Sequence, residues 1–233
     1  LPKEGKGGGA ILYLHGGGYV AGSLAYAKLF GGMLAGRTGM PVLCPAYPLA
    51  PEPPFPAAMD TACEAYRYML EAGIPPGSIA VAGESAGGGL TLGLIHRLRE
   101  EGLPLPACLV CLSPWTDLTR SGASIEYNAR HYVSLAPQQL VYYANCYAPG
   151  RELEAQVSPA LHSFAGFPPA LVFAGGDELL LDDARAVLRG YIATGGQCRL
   201  IIKKGMWHAW PLYPTKESGQ ALRDIEDFIR SQL

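Results

Sequence analysis

The chain has 233 residues, 49% of them hydrophobic and 16% charged, the profile of a globular domain with a substantial core. Lys and Arg number 18 against 20 Asp and Glu, a formal net charge of -2, which excludes a broad basic surface for nucleic acid or an anionic membrane. No run approaches the roughly 20 apolar residues that span a bilayer, and the start, LPKEGKGGG, lacks the apolar centre of a signal peptide, so the expected location is cytoplasmic and the expected partner a small, roughly neutral molecule.

Periodicity and punctuation give repeated strand-then-helix units. AILYL (10–14) reads as a strand, 24–38 as a helix and PVLCPAY (41–47) as a strand; after the proline-rich LAPEPPFP, 57–72 is helical. A strand at 79–82, a helix at 86–101 and strands at 107–113 and 169–175 come next, then a helix at 182–194, a strand at 198–204 and a helix at about 216–231. Continuously apolar strands alternating with amphipathic helices predict an α/β fold, a mostly parallel sheet of about six strands with helices on both faces. The stretch 116–165 breaks the rhythm, is rich in Tyr, Asn and Ser, and carries a helical piece near 137–147. It is too long for an ordinary connection and reads as a cap-like insert over the carboxyl ends of the strands. With no repeat, low-complexity tract or linker, residues 1–233 read as one domain.

Six cysteines (Cys44, Cys63, Cys108, Cys111, Cys146 and Cys198) lack a disulfide-scaffold pattern and are expected reduced. Cys108 and Cys111 have metal-ligand spacing but sit in the apolar run ACLVCLSP without a second pair, which favours core packing and predicts no metal site. The sequence opens on Leu1 rather than Met, and its glycine-rich start runs almost directly into a strand, as it would if residues ahead of it were missing.

The chemistry gathers at predicted strand ends, where open α/β sheets build their sites. GESAG (83–87) fits G-x-S-x-G between a strand and a helix, the context that lifts a serine, Ser85, out on a tight turn. A hydroxyl is a poor nucleophile until a base lies within hydrogen-bond reach. HGGGY (15–19) follows the first strand, and consecutive glycines let main-chain N–H groups converge as an oxyanion hole requires. Neither glycine run continues as a P-loop or as a dinucleotide-binding fingerprint. Asp177 ends the strand 169–175, and His208 follows the strand 198–204 within MWHAW. The order Ser85, Asp177, His208 is that of the α/β-hydrolases. Glu178 and Asp182 stand as rivals to Asp177, because periodicity does not fix which carboxylate faces the imidazole. Among the other histidines, His15 is expected to brace the glycine loop, His96 to pack on its helix or face solvent, and His131 and His162 to lie in the insert.

Several blocks together resemble the hormone-sensitive-lipase-like branch of the α/β-hydrolases, the bacterial family IV esterases: HGGGY, YPLAPEPPFPAA, GESAGGGL, LSPWTDLT, SPAL, GGDELLLDDA and MWHAW, in family order over nearly the whole chain. The resemblance implies Ser85 as nucleophile, His208 as general acid/base, Asp177 as its orienting carboxylate, and backbone N–H groups of Gly17, Gly18 and Ala86 as the oxyanion hole. Glu84 falls at the variable position of the pentapeptide. Three departures stand out: Pro48 replaces an arginine of the family pattern, His131 and Tyr132 replace an acidic residue and a proline, and neither the family's helical cap segment nor its first two strands precede Ala10.

The resulting expectation is a serine carboxylesterase for small or short-acyl esters that works through an acyl-enzyme and needs no cofactor. Tyr127, Tyr132, Tyr142 and Tyr143 are candidate pocket walls. An amide or formamide hydrolase using the same triad is the alternative, and a non-catalytic receptor on the same fold a more distant one, since all three triad side chains are present. The final strand, 198–204, is a candidate sheet edge for a homodimer.

Overall fold

The computed structural model describes residues 8–130 and 135–233. Its elements are β1 (Ala10–Leu14), α1 (Leu24–Thr38), β2 (Val42–Leu43), α2 (Ala57–Glu71), β3 (Ile79–Glu84), α3 (Ala86–Glu100), β4 (Cys108–Leu112), α4 (Ser124–Tyr127), α5 (Pro137–Tyr147), β5 (Ala170–Gly175), α6 (Leu181–Ala193), β6 (Cys198–Lys203) and α7 (Lys216–Gln232). Helix ends follow local chemistry. Ser23 accepts from the Tyr26 N–H to start α1, Gly39 ends it in a left-handed conformation, and Thr215 and Ser218 exchange hydrogen bonds to start α7.

The six strands form one all-parallel sheet in the order β2-β1-β3-β4-β5-β6. β1, β3, β4 and β5 are buried at every residue, which explains their unbroken apolar runs. Alternate residues serve opposite layers. Leu12, Val81, Leu109 and Val172 pack with α2, α3 and α6, whereas Ile11, Ala80, Val110 and Leu171 pack with α1 and α7. The same alternation sends Cys111 to the first layer and Cys108 to the second, so that pair has no common ligand position. All six cysteines are free.

Differences from the sequence reading are local. β2 is confined to two residues rather than seven, because Pro41, Pro45 and Pro48 have no N–H to extend a ladder. α5 does not sit apart as a lid: Leu140, Ala144 and Tyr147 join the main core, and Tyr147 stacks on Tyr19 with ring centroids 3.6 Å apart. Since Tyr19 follows the glycine loop, that stack ties the insert to the loop beneath it. β6 is an edge strand, with Ile202 and Lys203 exposed. Among the described residues no helix is long and apolar enough to cross a membrane.

The packing makes a quantitative demand of α7. Ile225 is fully buried against the sheet, whereas Ile192 of α6 is 68% exposed. Ile225→Ala is expected to lower unfolding free energy by about 2–5 kcal/mol and Ile192→Ala by less than about 0.5 kcal/mol, read from urea midpoints. Equal shifts would contradict the assigned core.

Candidate active site

Strand order reverses around β1. The chain steps from β1 to β2 on one side, then crosses back to β3 on the other, which opens a crevice outside the carboxyl ends of β1 and β3. The glycine loop leaves β1 into this crevice and Ser85 leaves β3. Ser85 has φ 54° and ψ -122°, a strained conformation for a residue with a Cβ and the signature of a nucleophile turn. The turn is held by its own backbone: Ser85 N–H donates to Leu112 O at 2.9 Å, and Ser85 O accepts from Gly88, Gly89 and Trp115. Gly87 is required by close approach, since a Cβ there would lie 2.0 Å from Leu14 O.

His208 arrives from the far side of the sheet on the turn after β6. Its Nε2 lies 2.8 Å from Ser85 Oγ, so the hydroxyl can donate to the ring. The carboxylate nearest the imidazole is that of Glu178, with Oε2 3.9 Å from His208 Nδ1. Glu178 is fully buried; its Oε2 accepts from Ser113 Oγ at 2.6 Å and from Gly175 N–H at 3.0 Å. His208 Nδ1 and Glu178 Oε1 are both buried and lack a partner among the described residues. A separation of 3.9 Å is beyond a hydrogen bond, and catalytic hydrogen bonds are often this long in the absence of substrate.

Asp177 is not brought to the imidazole. Its residue is exposed, and its backbone N–H donates to Met206 O at 3.1 Å, bracing the turn that carries His208. β5 ends at Gly175, and beyond it the carboxylate that finds buried donors, that of Glu178, turns inward. Asp182 caps α4 by accepting from Ser124 N–H, and Asp183 accepts from the Thr116 and Asp117 N–H groups, so both hold the insert against α6.

Residues 11–212 match the α/β-hydrolase fold family. The chain is 39% identical over 227 residues to an acetyl-hydrolase of Streptomyces hygroscopicus, covering 96% of this chain and 76% of that protein. It is 35% identical over 209 residues to an ethyl acetate hydrolase of Pseudomonas putida, covering 86% and 65%. The crystal structure of an esterase from the bacterial hormone-sensitive lipase family superimposes with a TM-score of 0.93 at 39% identity, over 97% of this chain and 77% of that one. The chain is an α/β-hydrolase of the hormone-sensitive-lipase family.

In this hydrolase a cavity of about 230 Å³ is lined by Gly16, Gly17, Gly18, Ser85, His208 and, from the insert, Leu135 and Tyr143. Ala86 begins α3 directly after Ser85, so its N–H is at the helix's positive end. Gly17, Gly18 and Ala86 N–H groups have no hydrogen-bond acceptor among the described residues. Of the tyrosines expected to wall the pocket, Tyr143 lines it, Tyr127 and Tyr142 are exposed, and Tyr132 lies outside the described residues, as does His131.

The remaining histidines are structural in position. His15 Nδ1–H donates to Gly16 O at 2.7 Å and the ring stacks on Tyr47, bracing the glycine loop as expected. His96 is half-buried against Phe167, and His162 is exposed with Nε2 2.7 Å from Leu153 O. Ser113 was not singled out by its residue type, yet it is the hinge of the site: Ala209 N–H donates to its Oγ at 2.9 Å while that hydroxyl donates to Glu178.

Burial favours the neutral form of both titratable partners. It pushes the Glu178 carboxyl up to about 8 and the His208 imidazole down to about 4. The sign is that of a base withheld from protonation, so His208 keeps a free nitrogen through the mildly acidic range. An NMR titration of the His208 ring is expected to show a neutral imidazole down to about pH 4, and Glu178→Gln, which removes the carboxylate 3.9 Å from Nδ1, is expected to leave that midpoint low. A midpoint at or above the ordinary histidine value of about 6.5 in both proteins would contradict the environment described.

Proposed function

We propose that the chain is a serine carboxylesterase that cleaves small, short-acyl esters through an acyl-enzyme, with Glu178 rather than Asp177 as the carboxylate behind the imidazole. The single observation that carries this reading is Ser85 Oγ at 2.8 Å from His208 Nε2, in a cavity shared with Gly17 and Gly18. As Ser85 Oγ attacks the ester carbonyl carbon, His208 accepts its proton. The carbonyl oxygen becomes an oxyanion that the Gly17, Gly18 and Ala86 N–H groups are free to bind, each such donor being worth about 10²–10³ in rate. The ester C–O bond then breaks, His208 gives its proton to the departing alcohol, and the acyl group remains on Ser85. Water repeats the sequence: His208 takes its proton as the oxygen attacks, then returns one to Ser85 as the acid leaves. Glu178, whose Oε1 has no other partner among the described residues, accepts Nδ1–H and steadies the imidazolium.

Short acyl groups follow from the walls. The cavity is smaller than the roughly 300–1,000 Å³ of drug-sized sites, and the Tyr143 ring closes over Gly18. The names of the Streptomyces and Pseudomonas relatives, acetyl-hydrolase and ethyl acetate hydrolase, support the same size class.

The test is hydrolysis of a p-nitrophenyl ester series. Ser85→Ala is expected to lower p-nitrophenyl acetate turnover by at least about 10³-fold, with acetyl and butyryl esters outpacing decanoyl in the wild type. Tyr143→Ala is expected to raise decanoyl turnover relative to acetyl. Unchanged turnover in Ser85→Ala removes the mechanism; faster decanoyl than acetyl turnover in the wild type removes the assigned substrate class.

A further inference from the structure

Glu84 ends β3 immediately before Ser85, is 1% exposed, and is used nowhere in the route above. Its Oε1 accepts the Gly16 N–H at 2.5 Å, and its Oε2 accepts the Tyr13 hydroxyl of β1. Gly16 directly precedes the two loop glycines, and Glu84 directly precedes the nucleophile. One side chain thus joins the segment offering N–H groups to the segment offering the hydroxyl, at the nearest residue of each.

The fit between the two segments is close. A Cβ on Gly16 would lie 2.9 Å from Glu84 O and 3.0 Å from Ser85 Cβ, so the loop already rests on the turn. The groups that face the Glu84 carboxyl are Tyr13 from β1, Tyr26 from α1, and Cys44 and Tyr47 from the segment leaving β2. None is a cation. Burial without a counter-charge pushes the carboxyl up to about 7, an unfavourable setting for an acid that serves only as filling. An apolar side chain of similar size would occupy the space equally well, but it would leave the Gly16 N–H unpaired and the loop free to drift from Ser85.

We propose that Glu84 is a positioning residue, whose carboxyl group holds the Gly16–Gly18 loop at the separation from Ser85 at which its amides meet the oxyanion. The inference rests on the serine-esterase reading above. Its effect falls on a charge present only in the transition state, so its loss lowers kcat and leaves KM nearly unchanged. Glutamine supplies the same acceptor to Gly16 and a donor to Tyr13, and therefore substitutes for it.

The experiment compares Glu84→Ala and Glu84→Gln with wild type in p-nitrophenyl acetate hydrolysis. Active sites are counted by fluorophosphonate titration, and affinity for an aryl trifluoromethyl ketone, a mimic of the tetrahedral intermediate, is measured alongside. Expected are a fall in per-site kcat of about tenfold or more for Glu84→Ala with little change in KM, a parallel loss of ketone affinity, and rates within about threefold of wild type for Glu84→Gln. Per-site kcat within about threefold for Glu84→Ala, or a loss in Glu84→Gln as large as in Glu84→Ala, overturns the proposal. Should Glu84→Ala not fold, Tyr13→Phe, which frees Oε2 alone, is expected to lower kcat with KM unchanged, and an unaltered kcat overturns it. Turnover retained in Ser85→Ala removes the underlying esterase reading. An inert Ser85→Ala beside a fully active Glu84→Ala removes only the role of Glu84.

Discussion

The hydrogen bond between Ser85 and His208 joins positions 123 residues apart, and neither local segment can hold it alone. Its length is set by the sheet. β3 and β6 are separated by β4 and β5, and the parallel ladders fix how far apart their carboxyl ends emerge. Ser113, just past β4, fills the interval by accepting from Ala209 beside the histidine and donating to Glu178 past β5. Three strand ends are thereby interlocked through one hydroxyl, and the strained Ser85 backbone is tolerated because its neighbours over-determine it.

How much of this was legible in the sequence depends on whether local pattern or distant partners decide the outcome. The buried strands announce themselves through unbroken apolar runs, and α1 and α5 through period and punctuation, so their bounds agree with the structure. The proline-rich segment after β2 misled, because apolar composition resembles a strand while missing N–H groups prevent one. Ser85 and His208, which the fold brings within 2.8 Å of each other, are legible because each follows a strand end in a recognisable short motif. Choosing among Asp177, Glu178 and Asp182 needed the positions of Ser113, Gly175 and Ser124, which donate to particular carboxylates from other elements. Glu84 was passed over as a variable position, although a lone acid closing an otherwise apolar and small strand was a signal available to be read.

Three buried carboxyls join separate segments, Glu84 and Asp183 by accepting backbone N–H groups and Glu178 by accepting the Ser113 hydroxyl. Burial holds them up to about 7, 8 and 7, so each favours the fold most in its protonated form. That contribution is complete below the ordinary carboxylate range and is lost as pH rises through 7 to 8. His96 and His208, held down to about 4, act in the opposite sense: their neutral forms favour the fold above the ordinary histidine range, a contribution lost as pH falls toward 4. Site chemistry and pH-dependent stability therefore share the same buried groups.

The central claim, a serine made nucleophilic by one imidazole, is tested most directly by mass spectrometry of the intact chain after brief exposure to a fluorophosphonate. Peptide mapping then locates the adduct in the wild type and in His208→Ala. The account predicts one adduct per chain on Ser85 in the wild type and a labelling rate lowered by at least about 10²-fold without the imidazole. Labelling of Ser85 at equal rates in the two proteins, or an adduct on another residue, would contradict it.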